Sequence, residues 1–185
     1  HSYTELNFLR AGRVLDVLPD DPRHILFTSI GYGGRMLVHK LDISTQASLS
    51  RFRPSPGDRL NIGSKDERWW FTDGSGDLSV ALVIRDGSGA LMSRQGDHMV
   101  EFLRLEPEAG FKPSVLSHDG KSLIGMSEVD RDQRELVEFD IASQRVSRTL
   151  FSKPGVDIVA PVFDSRLNPI GVRYYQSGRL VNEYF

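Results

Sequence analysis

Short stretches of alternating hydrophobic and polar residues run along this chain, and clusters of Gly, Asp, Asn and Ser separate them at close intervals. Alternation with period 2 is the pattern of a half-buried β-strand, whereas an amphipathic helix needs apolar residues every three or four positions. No stretch longer than about ten residues carries a convincing helical stripe. The sequence therefore predicts an all-β protein.

The clearest unit predicts four short antiparallel strands in a meander, with Asp119-Gly120 supplying the positive φ that a tight hairpin needs. Its strands are Lys112–Ser117, Lys121–Glu128, Glu135–Asp140 and Arg145–Leu150. The other predicted strands are Arg13–Leu18, His24–Ile30, Arg35–Asp42 and Gln46–Phe52 in a first unit, Trp69–Thr72, Asp77–Arg85, Ala90–Arg94 and His98–Arg104 in a second, and Ile158–Asp164, Pro169–Tyr175 and Arg179–Phe185 in a fourth. The fourth unit lacks a fourth strand.

Two of these units repeat each other at one constant spacing, 140 − 42 = 98, without a gap. The matched pairs are Asp21 and Asp119, Arg23 and Lys121, Ile25 and Leu123, Ser29 and Ser127, Asp42 and Asp140, Ile43 and Ile141, Gln46 and Gln144. Half of this spacing is close to the ~40–50 residues of a four-stranded propeller blade. The repeat therefore indicates recurring structural units, one copy lying between the two that match.

Radial repetition of four-stranded sheets, as in a β-propeller, accounts for this pattern better than a β-sandwich does. A sandwich would not require two units to repeat each other in sequence. The prediction is a partial β-propeller of about four four-stranded blades, as an open arc or part of a larger ring. The expected blades are 13–55, 56–106, 107–153 and an incomplete 154–185, after an N-terminal strand or linker, 1–12. Within 1–12, Tyr3–Leu9 would be an outer strand of a preceding blade or would complete the last one. Side chains such as Leu123, Leu136 and Phe139, with Gly125, are expected to pack between neighbouring blades.

Composition excludes several classes of function. A chain of 185 residues with 39% hydrophobic content supports a packed core. The net charge of −2 gives no clustered basic surface for nucleic acid. There is no cysteine, which removes disulfides, thiolate zinc sites and cysteine nucleophiles. No apolar run approaches the ~20 residues of a membrane span, and the compartment stays open between cytoplasm and periplasm.

Three segments taken in order resemble a known family. They are "WWFTDGSGDLSVAL" at 69–82, "SHDGKSLIGMSEVDRDQRELVEFDIASQRVSRTLF" at 117–151 and "PVFDSRLNPIGVRYYQSGRLVNEYF" at 161–185. Together they look like consecutive blades of the non-catalytic propeller of prolyl oligopeptidase family serine peptidases, the group with dipeptidyl and acylaminoacyl peptidases. The Asp-Gly turns and strand endings are also similar to propellers of the translocation-protein (TolB-like) type.

The resemblance implies that a separate α/β-hydrolase domain carries a Ser-Asp-His triad and that the propeller gates peptide access to it. The serine nucleophile of that domain needs a Gly-x-Ser-x-Gly elbow, and no serine in this chain has glycine at both flanking positions. The paired glutamates that bind a peptide amino terminus in the dipeptidyl peptidase branch are also absent. No catalytic, cofactor-binding or metal-binding residue of the family is carried over to this chain, and no cofactor is expected. The chain would be a piece of a longer peptidase.

Histidines and acidic turns are candidates for metal-binding or catalytic sites. The five histidines, at 1, 24, 39, 98 and 118, have no metal-ligand spacing, which favours structural or solvated roles. The "DGSGD" at 73–77 is reminiscent of a calcium loop, but its twelfth position is Ile84, where a bidentate Glu is required. A hairpin turn is the preferred interpretation.

The remaining motifs also favour structural roles. The glycine-rich "GYGG" at 31–34 and "DGSG" at 86–89 are followed by strands rather than by a helix N-terminus, so turns are predicted in place of phosphate sites. The aromatic run Trp69-Trp70-Phe71 is predicted to pack, with the two tryptophans on opposite faces. The charged "RFRP" at 51–54 and "DRDQR" at 130–134 are predicted to be solvated tips.

The sequence is compatible with three functions. The first is a propeller segment of a prolyl oligopeptidase-like serine peptidase that gates peptide access. The second is a TolB-like propeller that acts as an interaction scaffold, and the third is a carbohydrate enzyme or lectin of propeller form. An open arc would also leave strand edges unpaired at its ends, which predicts self-association of the chain.

Overall fold

The structure, a computed structural model, describes residues 12–30, 36–44, 59–60, 66–105, 110–129 and 132–185. Within these ranges the chain forms fifteen strands and no α-helix, so the all-β prediction is confirmed there. In particular, the described ranges contain no helix of the length and apolarity that crossing a membrane requires.

Four antiparallel sheets follow one another along the chain, and each is a simple meander. Sheet I contains β1 (Arg13–Asp16), β2 (His24–Ile30), β3 (Met36–Asp42) and β4 (Arg59–Leu60). Sheet II contains β5 (Glu67–Phe71), β6 (Val80–Arg85), β7 (Ser88–Gln95) and β8 (His98–Leu105). Sheet III contains β9 (Phe111–Leu116), β10 (Ser122–Ser127), β11 (Glu135–Asp140) and β12 (Arg145–Phe151). Sheet IV contains β13 (Ile158–Phe163), β14 (Pro169–Gln176) and β15 (Arg179–Tyr184).

Predicted and observed strands agree closely in sheets III and IV. The largest difference is the second strand of sheet II, which is predicted from Asp77 and begins at Val80. The predicted strand Gln46–Phe52 lies outside the described residues, as does the segment Tyr3–Leu9. The strand that pairs with β3 is Arg59–Leu60, within the range expected for the second blade.

The sequence repeat has an exact counterpart in strand register. In sheet I the β2–β3 ladder pairs His24 with Asp42, and in sheet III the β10–β11 ladder pairs Ser122 with Asp140 at the corresponding positions. The closing backbone bonds repeat as well: Ile43 donates to Arg23 at 2.7 Å, and Ile141 donates to Lys121 at 3.0 Å. The sequence repeat between the two units therefore corresponds to a repeat of the same β-hairpin.

Apolar faces of neighbouring sheets pack against each other in sequence order. The cluster between sheets I and II is centred on Leu26, Val38, Trp70, Leu78 and Ala81. The cluster between sheets II and III contains Phe71, Val80, Leu91, Phe102, Phe111, Leu116, Leu123, Val137 and Phe139. The cluster between sheets III and IV contains Val115, Ile124, Leu136, Ile158, Val172 and Tyr174. Sheets II and III are thus buried on both faces, and the stacking is compatible with successive propeller blades.

Gly125 lies where strands β9 and β10 approach each other too closely to leave room for a side chain. A Cβ at this position would lie 2.8 Å from Pro113 Cα on the adjacent strand β9. The β9–β10 register also shifts between Ile124 and Gly125, which marks a β-bulge. Glycine therefore allows β9 to approach β10 closely at a bend.

Truncating one side chain at a sheet interface tests this packing. Ile158 is fully buried between sheets III and IV, whereas Ile84 is 41% exposed on β6. We expect Ile158→Ala to lower the free energy of unfolding by about 2–5 kcal/mol, because it leaves a cavity between the two sheets. The matched change Ile84→Ala should cost about 1 kcal/mol or less. Urea unfolding of both variants measures the difference, and equal losses would contradict the stacked arrangement.

Candidate functional site

Four loops meet at one end of the sheets, and we call them together the hairpin rim. Each loop connects the first and second strands of its sheet. They are residues 17–23 in sheet I, 72–79 in sheet II, 117–121 in sheet III and 164–168 in sheet IV. Contacts within or beside these loops link sheet I to sheet II, sheet II to sheet III and sheet IV to sheet I.

The link between sheets I and II is a buried carboxylate. The Thr72 hydroxyl donates a hydrogen bond to Oδ2 of Asp16, the last residue of β1. The other oxygen, Oδ1, accepts the backbone N–H of Leu18 at 2.8 Å, and the Thr72 oxygen accepts that of Gly74 at 3.2 Å. A carboxylate out of water is tolerated only when its oxygens are hydrogen-bonded. One buried acid thus fixes the rim loops of two sheets.

The link between sheets II and III is a histidine. His118 Nδ1 lies 2.7 Å from the backbone carbonyl oxygen of Asp73. Because a carbonyl only accepts, Nδ1 carries the hydrogen. Gly74, which has a φ of +85°, lies beside this ring, and a Cβ there would be 3.2 Å from His118 Cε1. A glycine at 74 therefore suits both the backbone conformation and the position of the ring.

The link between sheets IV and I joins the two ends of the stack. Arg166 donates to both oxygens of Asp20, at 2.8 Å and 3.4 Å. Both side chains are exposed, so the pair contributes little to stability by itself. It nevertheless brings together loops that are 146 residues apart. The rim therefore includes a contact between the first and last sheets, although these two sheets do not form a common ladder in the described residues.

Local hydrogen-bond donors lower the pKa of two acidic side chains of the rim, Asp21 and Asp164. The pKa of Asp21 is lowered to about 2, first by the hydrogen bond from His24 and then by that from Lys40. The pKa of Asp164 lies below its ordinary value, chiefly because Asn168 donates from its side chain and backbone. These carboxylates are acceptors in turns, and none is poised to donate a proton near neutral pH.

A small cavity lies behind the rim, where the first strands of the sheets come together. It has a volume of about 50 Å³, and its walls come from all four sheets, including Leu15, Trp70, Ser114 and Leu167. A water molecule occupies roughly 30 Å³ of liquid volume, so the space holds one or two waters. Side chains from all four sheets therefore come close together at this point.

A larger groove runs between the outer strands of sheets II and III. Its volume is about 610 Å³, and its floor is apolar, with Leu103, Leu105, Phe111 and Phe139. Arg104 and Arg145 also line it. A groove of this size and composition can accept apolar side chains of a partner, with cationic groups at its border.

The aromatic run is divided between two packing clusters. Trp70 lies in the cluster between sheets I and II, and Phe71 lies in that between sheets II and III. Trp69 packs against the second of these, and the guanidinium of Arg13 lies 3.6 Å from its ring centroid. The two tryptophans face opposite sides of the strand, as predicted, and both take part in packing.

The candidate calcium and phosphate motifs form turns in the part of the chain that the structure describes. Asp73 Oδ1 accepts the backbone N–H of Ser75 at 2.8 Å and its hydroxyl at 2.7 Å, within the loop between β5 and β6. Asp86 and Gly87, both at positive φ, make the turn between β6 and β7. The described residues contain no group of three His, Asp or Glu side chains that could hold a metal ion. His1, "GYGG" at 31–34, "RFRP" at 51–54 and residues 130–131 lie outside the described ranges.

The sequence did not predict a buried serine–histidine pair in sheet I. Ser29 Oγ lies 3.1 Å from His39 Nε2, and both residues are almost fully buried. The ladder pairs Phe27 with His39 and Ser29 with Leu37, which places the two polar residues diagonally on one face. Two polar residues on an otherwise apolar face were the available signal. Because the hydroxyl is buried, the pair belongs to the core and has no access for a substrate.

A second unpredicted cluster ties sheet III to sheet IV. Lys153, in the connection after β12, donates to the Tyr174 hydroxyl at 2.6 Å and to Glu183 Oε2 at 2.7 Å. Tyr174 also donates to Glu183 at 2.6 Å. The hydrogen bond from Lys153 is the main cause that lowers the pKa of Glu183, and Glu183 in turn raises the pKa of Lys153. The cluster closes one end of the interface that Ile158 and Val172 fill.

No protein-family model matches the chain, and no curated protein matches it. The resemblance to prolyl oligopeptidase propellers therefore rests on the three sequence segments alone.

Removing the Thr72 hydroxyl tests the buried link of the rim. Thr72→Val keeps the shape of the side chain but takes a donor from Asp16 and an acceptor from Gly74. We expect the free energy of unfolding to fall by about 1–3 kcal/mol, measured by urea unfolding. Thr149→Val is the control, because Thr149 is exposed on β12 and its hydroxyl makes a long hydrogen bond of 3.4 Å to Glu135 Oε2, so the change should cost about 0.5 kcal/mol or less. Equal effects of the two changes would show that the link does not stabilise the fold.

The Lys153–Glu183 cluster predicts a pH dependence. Because the folded pKa of Glu183 lies below the ordinary 4.5, its contribution to stability is present above pH 4.5 and is lost as the pH falls through the folded pKa. The raised pKa of Lys153 contributes below 10.5, and that contribution is lost as the pH rises through the folded value. We expect Glu183→Gln to flatten the acid side of the profile of melting temperature against pH. Acid-side profiles of variant and parent that stay parallel would refute the prediction.

Proposed function

We propose that this chain is a non-catalytic propeller segment of a prolyl oligopeptidase-like serine peptidase. In this proposal the described sheets form part of a wall beside a separate α/β-hydrolase domain. The wall admits short peptides and excludes folded protein by steric obstruction. The proposal joins the order of the three family-like segments with the succession of four antiparallel meander sheets along the chain.

The hairpin rim is the observation that carries the proposal. Its loops are linked by contacts between Asp16 and Thr72, between His118 and Asp73 and between Arg166 and Asp20. Behind it the axial cavity of about 50 Å³ is too small for a peptide chain. A peptide that approaches from this end must therefore pass around the described sheets. Such an obstruction supports a filtering role.

We assign catalysis to the separate domain because the serine–histidine pair of this chain is not accessible to a substrate. The pair that resembles part of a catalytic triad, Ser29 and His39, is buried in sheet I. A serine nucleophile has to reach the carbonyl of its substrate, with its base at hydrogen-bond distance. Ser29 satisfies the second condition and fails the first. The described residues are therefore suited to a wall and not to an active site.

A second candidate function is an interaction scaffold of the TolB-like type. The groove between sheets II and III favours it, because apolar residues and two arginines face one concave surface. An extended partner segment with apolar and acidic residues would complement that surface. The two candidates differ in whether a hydrolase activity accompanies the chain.

The test uses the full-length product of the gene that contains this sequence. We expect a fluorophosphonate probe to label that product at a serine outside these 185 residues, and the isolated chain to remain unlabelled and inactive. The double change Asp20→Ala and Arg166→Ala opens the rim and should raise kcat/KM several-fold for long peptides relative to a short chromogenic peptide.

Arg148→Ala is the control, because it removes another exposed ion pair, with Glu138, on the outer strand β12. It should leave the ratio of long-peptide to short-peptide hydrolysis unchanged. A full-length product that neither reacts with the probe nor cleaves peptides would overturn the peptidase proposal and favour the scaffold. Labelling without a change in the ratio would retain the peptidase and reject the role of the rim.

A further inference from the structure

Three Asp-Gly dipeptides occur in the chain, and all three lie in loops between strands that the structure describes. They are Asp73-Gly74, Asp86-Gly87 and Asp119-Gly120. In an Asp-Gly sequence the aspartate side chain can react with its own backbone, because glycine has no side chain to shield the nitrogen that follows. The three dipeptides are chemically identical, so a difference in their reactivity has to come from the structure around each.

The reaction needs a backbone nitrogen and a carboxyl group that are both free to move. The nitrogen after the aspartate attacks Cγ and forms a new N–C bond, and its hydrogen leaves with the hydroxyl of the protonated carboxyl group as water. Water then opens the five-membered succinimide ring at one of its two carbonyls. One product is aspartate again, and the other is isoaspartate, in which the main chain runs through Cγ. A hydrogen bond that holds either reacting group in place therefore hinders ring closure.

The first dipeptide is held at both groups. Asp73 Oδ1 accepts the N–H of Ser75 at 2.8 Å and its hydroxyl at 2.7 Å. The N–H of Gly74 donates to the Thr72 hydroxyl oxygen at 3.2 Å. At the other end of the same peptide plane, the carbonyl of Asp73 accepts a hydrogen bond from His118 at 2.7 Å. The plane between Asp73 and Gly74 is thus fixed from both sides.

The dipeptide of sheet III is held in the same way. Asp119 Oδ1 accepts the Ser117 hydroxyl at 2.7 Å and the N–H of Lys121 at 3.1 Å. The bond from Ser117 is the main cause that lowers the pKa of Asp119. Bonds to the charged form disfavour the protonated acid, which is the form that can lose its hydroxyl. The N–H of Gly120 also has an acceptor, the carbonyl of Ser117 at 2.8 Å.

The dipeptide of sheet II has neither restraint. Asp86 and Gly87 are exposed and form the two-residue turn between β6 and β7, closed by the pair Arg85 and Ser88. Within the described ranges, no group donates a hydrogen bond to the Asp86 carboxylate and no oxygen accepts the N–H of Gly87. A Cβ added at Gly87 would meet no atom within 4 Å. Both reacting groups of this turn are therefore free.

The same turn can reach the geometry of ring closure. φ is +50° at Asp86 and +81° at Gly87, as in a type I′ turn. Rotation of the peptide plane between them gives a type II′ turn, which keeps φ of Asp86 positive and still connects a two-residue hairpin. This rotation brings the Gly87 nitrogen toward the Asp86 side chain, and glycine tolerates either sign of φ. The rotated form is strained for an aspartate, so it is a minor state and the reaction is slow.

We propose that Asp86 is a site of spontaneous isomerisation, at which the folded chain forms a succinimide and then isoaspartate in preference to Asp73 and Asp119. The product has the same mass and charge as the original chain, but it adds one methylene to the main chain of the β6–β7 turn. Turn geometry fixes the register of a hairpin. The change therefore falls on a ladder whose inner residues Val80 and Leu91 belong to the core between sheets II and III.

Digestion that distinguishes the two isomers tests the proposal. The full-length product of the gene that contains this sequence is aged at neutral pH and physiological temperature. Samples are then denatured and digested with an endoproteinase that cuts before aspartate and not before isoaspartate. We expect the uncut fraction before Asp86 to rise several-fold faster than that before Asp73 or Asp119. In a sample aged in guanidinium chloride the structural restraints are gone, so the three fractions should rise at similar rates.

Two substitutions provide matched controls. Asp86→Glu should abolish the succinimide at this turn, seen in the wild type as a peptide lighter by one water, because glutamate would have to close a six-membered ring. Asp119→Glu makes the same change in a held turn and should leave the uncut fraction before Asp86 unchanged. Circular dichroism and melting temperature establish that both variants fold. Equal rates at the three sites of the folded protein, or no isomer at Asp86, would overturn the proposal. So would a dehydrated peptide that persists in Asp86→Glu.

Discussion

Each sheet of this protein can bury an apolar face only against its neighbour, and the rest of the structure depends on this constraint. A four-stranded sheet alone has two faces in water and too little core to be stable. Sheet II buries both faces, with Trp70 on one and Phe71 on the other, and sheet III does the same with Leu123 and Ile124. The order of packing follows the order of the chain, because short connections leave each sheet beside the next.

This constraint explains why the sequence predicted the sheets so well. A hairpin that packs between two others must repeat both its turn and its register, and the pairs His24 with Asp42 and Ser122 with Asp140 do both. Local patterns carry that information, since alternation and Asp-Gly turns act within about ten residues. The arrangement of the four sheets as a partial propeller goes beyond the ladders themselves and remains the interpretation that best unites them.

The rim could not be predicted in the same way. The bond between Thr72 and Asp16 spans 56 residues and that between Arg166 and Asp20 spans 146. Nothing in the local pattern of either partner distinguishes such a residue from an ordinary polar turn residue. The buried Ser29–His39 pair is a similar case, because only the β2–β3 register brings the two side chains together. Long-range polar contacts depend on how sheets are placed, and single-sequence patterns do not encode that placement directly.

The charged residues show why so little chemistry follows from a chain that is 26% charged. Asp73, Asp119 and Asp140 all accept hydrogen bonds from serines or backbone N–H groups within a few residues. Such bonds use carboxylate oxygens that a substrate or metal would need. Among the described residues, the surface best suited to binding is therefore the apolar groove between sheets II and III. This surface is suited to contact with other polypeptides, and a wall or scaffold needs surfaces of this kind more than it needs reactive side chains.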